Sequence, residues 1–215
     1  MAMDDLHARG FTGLRVAGVD EVGRGPLAGP VVAAAVIVPE SARAKLLAVA
    51  GDSKVLSSKK RVLVDAMVRA ECIVGLGEAS VAEIDEVNIL QATFIAMGRA
   101  LAQVQAEAVV VDGNQRIKGF SGLQACVVGG DRCELAIACA SVVAKVYRDG
   151  MMARLAEEYP HYGWASNAGY GSAAHLLALQ THGVTEHHRR SFAPVRMVLE
   201  AGQNVHESVT DAQAA

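Results

Sequence analysis

Four acids stand near glycine at the ends of oily stretches: Asp20 and Glu21 in "GVDEVGRGPLAGP", Asp112 in "VVVDGN" and Asp131 in "VVGGD". In open α/β sheets the ends of strands are where the chain leaves the packed interior and its side chains can meet in a crevice. Adjacent strand residues point to opposite faces, so Asp20 and Glu21 share one site only if their strand stops there, as Gly23 suggests. Carboxylates drawn together raise one another's pKa, and divalent cations relieve the repulsion. An all-oxygen donor set favours Mg²⁺ or Mn²⁺ over zinc, and hard ions held by Asp and Glu suit phosphodiester hydrolysis, one activating a water and the other stabilising the departing oxygen.

Two of the acids also have a plainer reading. Asp131 opens "DRCE", a D-x-x-E pattern that serves equally as a helix N-cap. Asp112 precedes glycine, the commonest setting of a turn. The loop "GRGPLAG" resembles a nucleotide cradle only loosely: it lacks the Lys and Ser or Thr of a P-loop, and its prolines lead into a strand. The coincidence of three strand ends is what favours a shared site.

The elements that must place these acids alternate. "LRVAGVD" and "PVVAAAVIVP" read as two strands of a hairpin, "CIVGLGEAS" as a third, and "EAVVVDGN" and "LQACVVGGD" as buried strands of a parallel or mixed sheet. Ser80 and Glu83 form a capping box opening a helix through about Gln105. A second long helix runs from Arg132 to about Tyr159, and a third near Ser172 to Thr181. The reading is an α/β domain over residues 1–200, followed by a flexible polar tail over 201–215.

Composition agrees. The 215 residues are 52% hydrophobic and 20% charged, enough for one well-filled core. The net charge of −3 exerts no global pull on nucleic acid, so a polyanion would be held by local basic groups or by cations. Lys54, Lys59, Lys60 and Arg61, then Lys145 and Arg148, then His187 to Arg190, form such clusters; solvated surface charge is the plain reading of each. Cys72, Cys126, Cys133 and Cys139 lack zinc-site spacing or a disulfide framework. With no signal peptide or membrane-length apolar run, the expectation is a cytoplasmic protein, with no membrane partner and a monomeric state.

Seven blocks in order, from "GVDEVGRGPLAGPVV" through "DSKVLSSKKR", "DEVNILQAT", "VVVDGN", "GGD" with "IACASVVAKVYRD", and "HYGWASNAGYGS" to "HHRRSF", resemble type 2 ribonuclease H, the bacterial ribonuclease HII family, from about Leu14 to Pro194. The resemblance implies a ribonuclease H-like fold: a five-stranded mixed sheet flanked by helices, with a C-terminal helical region, about 160–200, that grips substrate. It places the family's metal ligands on Asp20, Glu21, Asp112 and Asp131. It implies hydrolysis of RNA in RNA–DNA hybrids and of single ribonucleotides in duplex DNA, 5′ of the ribonucleotide, leaving a 3′-hydroxyl and a 5′-phosphate. A role in ribonucleotide excision and RNA primer removal would follow.

By the same resemblance Gly23, Arg24 and Gly25 bring bare backbone to the 2′-hydroxyl, the group that separates RNA from DNA, while Tyr170 stacks on the adjoining deoxyribose. Ser53, Lys54, Asn88, Arg189 and Ser191 match positions tied to the substrate backbone or its support. Two residues depart from the usual pattern: Ala168 stands where lysine is common, and Ser172 where threonine is. The tail has no recognisable anchor for a replication factor.

Overall fold

The computed structural model describes residues 11–50 and 56–201. Ser53, Lys54 and the tail from residue 202 lie outside the described residues. Strands β1 (Val16–Val22) and β2 (Val31–Ile37) form the expected antiparallel hairpin around the glycine loop, in register from Gly18↔Val36 to Val22↔Val32. Helices α1 (Glu40–Ala50) and α2 (Ser58–Glu71) lead to β3 (Ile73–Ala79), which is antiparallel to β2. Helix α3 (Val81–Leu101) returns the chain to β4 (Ala108–Asp112), and β5 (Leu123–Val127) follows; β4 is parallel to both β1 and β5. The order β3-β2-β1-β4-β5 makes a five-stranded mixed sheet. Beyond it come a 3₁₀ turn (Gly130–Arg132), α4 (Leu135–Glu158), a second 3₁₀ turn (Pro160–Tyr162), the short α5 (Trp164–Asn167), α6 (Ala173–His182) and α7 over 193–201.

Burial on both faces explains the continuous apolar runs of the central strands. In β2, Val31, Ala33 and Ala35 join the core beneath α3, while Val32, Ala34 and Val36 join the core shared with α2 and α4. Alanine and glycine on β1 and β2 let those helices approach closely. A Cβ on Gly18 would lie 2.1 Å from the Ala136 carbonyl carbon, so only glycine admits α4 at that distance. A third cluster, including Leu27, Met152, Trp164, Leu179 and Val195, joins the glycine loop to the C-terminal helices.

One strand end, two helix boundaries and one further helix differ from the sequence reading. The strand expected to run to Asp131 ends at Val127, because the chain turns there into the 3₁₀ segment that carries Asp131. The capping box is present, Glu83 N donating to Ser80 Oγ and Ser80 N to Glu83 Oε2, yet α3 stops at Leu101 because the chain turns before Gln105, whose φ is +50°. Helix α4 begins at Leu135 because the 3₁₀ turn occupies 130–132. Helix α7 was not anticipated, although Pro194 at its second residue is a helix-start signal. The four cysteines are free thiols. No helix among the described residues is long and apolar enough to cross a membrane.

Candidate active site

The acids are assembled by the centre of the sheet. The β1–β4 pairing runs from Val16↔Ala108 to Val19↔Val111, so Asp20 and Asp112 are the next residues on neighbouring parallel strands. Strand β1 does not stop at Asp20: its pairing with β2 continues to Val22. It is the pairing with β4 that has ended, and Asp20 and Glu21 both lie beyond it. Asp112 Oδ1 accepts from Gly130 N at 2.8 Å, tying the end of β4 to the turn that carries Asp131. Asp131 is buried, and the N-cap of α4 is Glu134, so Asp131 does not occupy the cap position of that helix.

Three of the four acids lie close enough to act on one another through charge. Burial pushes the Asp20 carboxyl up to about 7, with further upward pressure from Glu21 and Asp112. A hydrogen bond with Ser141 and one from Glu21 N, which donates to Asp20 Oδ1 at 2.8 Å, act the other way. Glu21 is also raised, chiefly by burial; the Arg24 guanidinium, 3.2 Å from Glu21 Oε1, opposes this, while Asp112 adds to it. Asp20 and Glu21 therefore both sit in the field of Asp112.

This donor set fits a hard divalent cation: its groups are all carboxylates, and two of them, Asp20 and Glu21, are desolvated enough to resist ionisation without a counter-charge. Among the described residues no three His, Cys, Asp or Glu side chains are gathered into a ready-made cation cage. The fit accordingly rests on donor chemistry and on the shared field.

Beside the acids, the loop after β1 presents Arg24 and Gly25 to solvent. Its shape is set from below by two fully buried arginines. Arg189 donates through Nε and Nη2 to Gly29 O, through Nη1 to Arg24 O and through Nη2 to Gly23 O. Arg148 donates to Pro30 O, Ala28 O and Ala168 O at 2.9–3.0 Å. Gly23 has φ +93°, and a Cβ there would lie 2.2 Å from Arg148 Nε, so both backbone and space require glycine.

The plain reading of Arg148 and Arg189 as solvated charge is therefore corrected: each has traded water for backbone carbonyls. The signal that could have found them is the run of glycines and prolines in the loop, whose carbonyls must be satisfied once buried. Ser141 was likewise missed, embedded in the small-residue face of α4.

Tyr170 is about half exposed, and its ring edge lies 3.3 Å from where a Gly25 Cβ would stand. Leu27 N donates to Gly169 O at 2.8 Å, fastening its loop to the glycine loop. Asn88 and Ser191 are engaged with α3 rather than with the acids. Asn88, at φ +69°, kinks α3 and accepts through Oδ1 from Leu90 N and Gln91 N, capping the helix's second half. Ser191 donates through both N and Oγ to Asp85 Oδ1. Ala168 stands at φ +50° and lends its carbonyl to Arg148; Ser172 Oγ caps α6 by accepting from His175 N. Asp149 pairs with Lys145 at 2.7 Å, one turn away on α4.

Comparison with known proteins bears on the family and the fold. A family model described as Ribonuclease HII matches residues 17–195. The ribonuclease HII of Rhodospirillum rubrum is 56% identical over 203 residues, covering 92% of each chain. The crystal structure of the ribonuclease H2 from Pyrococcus horikoshii superposes with a TM-score of 0.73 at 25% identity, over 86% of this chain and 97% of that one. A ribonuclease HIII solved in complex with Mn²⁺ shares the fold, with a TM-score of 0.74 at 17% identity, over 93% of this chain and 73% of that one.

Proposed function

Because the chain belongs to the ribonuclease HII family, and is thus a ribonuclease H-type hydrolase, we propose that it cleaves the RNA strand of RNA–DNA hybrids and single ribonucleotides embedded in duplex DNA. The cut falls 5′ of the ribonucleotide at an RNA–DNA junction and leaves a 3′-hydroxyl and a 5′-phosphate. Removal of ribonucleotides and RNA primers from DNA would be its use. The observation that carries this reading is the placement of mutually repelling acids, Asp20, Glu21 and Asp112, next to a glycine loop and an exposed tyrosine.

Asp20, Glu21, Asp112 and Asp131 would hold two Mg²⁺ or Mn²⁺ ions. When bound, such ions supply Lewis-acid polarisation of the phosphate, a more acidic water and charge for the leaving oxygen. The chain's own part is positional. The buried guanidinium groups of Arg148 and Arg189 fix the loop carbonyls inward, which leaves Gly23, Arg24 and Gly25 to present backbone to a ribose 2′-hydroxyl. Tyr170 offers a face for the next sugar, where a hydroxyl would fit less well. Asn88 and Ser191 hold the α3 side of the cleft, with Ser53 and Lys54 as candidate phosphate contacts that carry no base information.

The test is a DNA duplex bearing one ribonucleotide, incubated with Mg²⁺ or Mn²⁺, with the cut mapped at nucleotide resolution. A single incision on the 5′ side, with an all-DNA control intact, is expected. Cleavage of the all-DNA duplex would assign a structure-selective nuclease instead. Binding without scission under either ion would leave only a binding module.

A further inference from the structure

Beneath Tyr170 lies a hydrogen-bond chain that the proposed reaction does not use. His175 and His188 are fully buried, packed among Tyr162 and Trp164. His175 Nδ1 is 2.9 Å from Tyr170 O; its Nε2 accepts from Trp164 Nε1 at 3.1 Å and lies 3.1 Å from His188 Nε2. His188 Nδ1 in turn accepts from Thr185 N at 3.0 Å and lies 2.9 Å from Thr185 Oγ1.

These partners leave one proton arrangement. A carbonyl only accepts, so His175 Nδ1 carries hydrogen; an indole N–H only donates, so His175 Nε2 carries a lone pair. His188 Nε2, facing that lone pair, is the donor, and His188 Nδ1, facing an amide N–H, is the acceptor. Both imidazoles are neutral and each is fixed in a single tautomer, in keeping with the downward pressure that burial places on both.

The chain ends at each half of the junction-reading surface. At one end the carbonyl of Tyr170 receives Nδ1–H of His175 together with Ser172 N at 2.8 Å, locking the backbone from which the exposed ring projects over Gly25. At the other end His188 forms an isolated bridge with Ala28 of the glycine loop, and Arg189 N donates to Leu27 O. A displacement of His175 would therefore reach Tyr170 directly, whereas the acids lie on other elements.

We propose that His175 is a positioning residue for junction reading, its Nδ1–H holding Tyr170 at the height and angle that the sugar beyond the ribonucleotide requires. This rests on the reading of Tyr170 and the glycine loop given above. The amide nitrogen of asparagine can replace Nδ1, whereas that of glutamine reaches the Nε2 position, so the two substitutions separate the bond to Tyr170 from mere filling of the core.

The experiment measures kcat and KM on the single-ribonucleotide duplex and on a long RNA–DNA hybrid for wild type, His175→Asn, His175→Gln and Tyr170→Ala, with melting temperatures recorded alongside. For His175→Gln, kcat/KM on the single-ribonucleotide duplex should fall about tenfold to a hundredfold, the range that a misplacement of about 1 Å commands, with a smaller loss on the long hybrid; His175→Asn should stay within about threefold of wild type. Equal losses in both His175 variants, or losses that track melting temperature on both substrates, would overturn the proposal. Should Tyr170→Ala lose nothing while wild type cuts the duplex, the reading of Tyr170 fails. Should Tyr170→Ala lose activity and His175→Gln keep it, only the present inference fails. If the variants do not fold, ¹⁵N shifts of histidine-labelled wild type decide: an Nδ1–H tautomer at His175 supports the assignment, and an Nε2–H or charged ring refutes it.

Discussion

Replacing Asp20 by asparagine should stabilise the ion-free protein while abolishing hydrolysis. The Asp20 carboxyl is lifted from 3.8 to about 7, first by burial and then by the charges of Glu21 and Asp112. A group whose folded pKa is raised binds more protons folded than unfolded, so stability is retained at low pH and lost as pH rises between those two values. At about 1.4 kcal/mol per unit, the displacement amounts to about 4 kcal/mol of destabilisation above neutrality. Water penetration and relaxation reduce such penalties, so we expect about 2 kcal/mol to be realised. Asparagine escapes this cost, since its Oδ1 keeps the bond from Glu21 N and its amide can donate to the Ser141 hydroxyl. For a chain of this length, about 2 kcal/mol corresponds to a rise of about 4–8 °C in Tm. The assay is urea or thermal unfolding of both proteins in EDTA from pH 4 to 8.5. The gap should open with rising pH and be nearly closed at pH 4. A variant no more stable than wild type at pH 8, or a gap independent of pH, would refute the reasoning. Added Mg²⁺ should then stabilise wild type and leave the variant unmoved, because only the former binds it in the folded state.

Two other outcomes follow from the same geometry. Gly18→Ala drives a methyl group into the α4 backbone at 2.1 Å, so about 3 kcal/mol or more of stability should be lost in denaturant unfolding, with soluble yield falling in step. The buried His188 is lowered to about 4, chiefly by burial and next by His175 and His187. The unfolded chain then binds more protons, so stability is full above about pH 6.5 and drains away as pH falls toward 4. Removing this titration with His188→Gln should flatten that slope by up to about 3 kcal/mol in paired unfolding titrations.

Much of this was legible in the residues. The hairpin, the capping box at Ser80 and the buried parallel strands follow from local chemistry, because period, β-branching and turn residues act within a few positions. Strand ends point to the four acids, although β1 continues to Val22 and Asp131 lies in the turn after β5; the shared field of Asp20, Glu21 and Asp112 depends on the parallel register of β1 and β4, which pattern alone does not state. What could not be read is non-local. Arg148 and Arg189 resemble solvated charge in a linear chain, and only folding reveals that the carbonyls of the glycine loop replace water around them. Asn88 falls inside the helix expected from Ser80 to about Gln105, yet its positive φ breaks α3 into two segments and turns its side chain into a cap. His175 and His188 are thirteen positions apart, and nothing in that interval signals that their rings meet.

The central claim is that acids from separate strands and a turn hold divalent cations together. Mn²⁺ titration followed by electron paramagnetic resonance, on wild type and on Asp112→Asn verified as folded by circular dichroism, tests it most directly. The wild type should bind Mn²⁺, and the substitution should weaken binding at least about tenfold, the loss that even an outer-shell change brings. Equal affinity in the two proteins would contradict it.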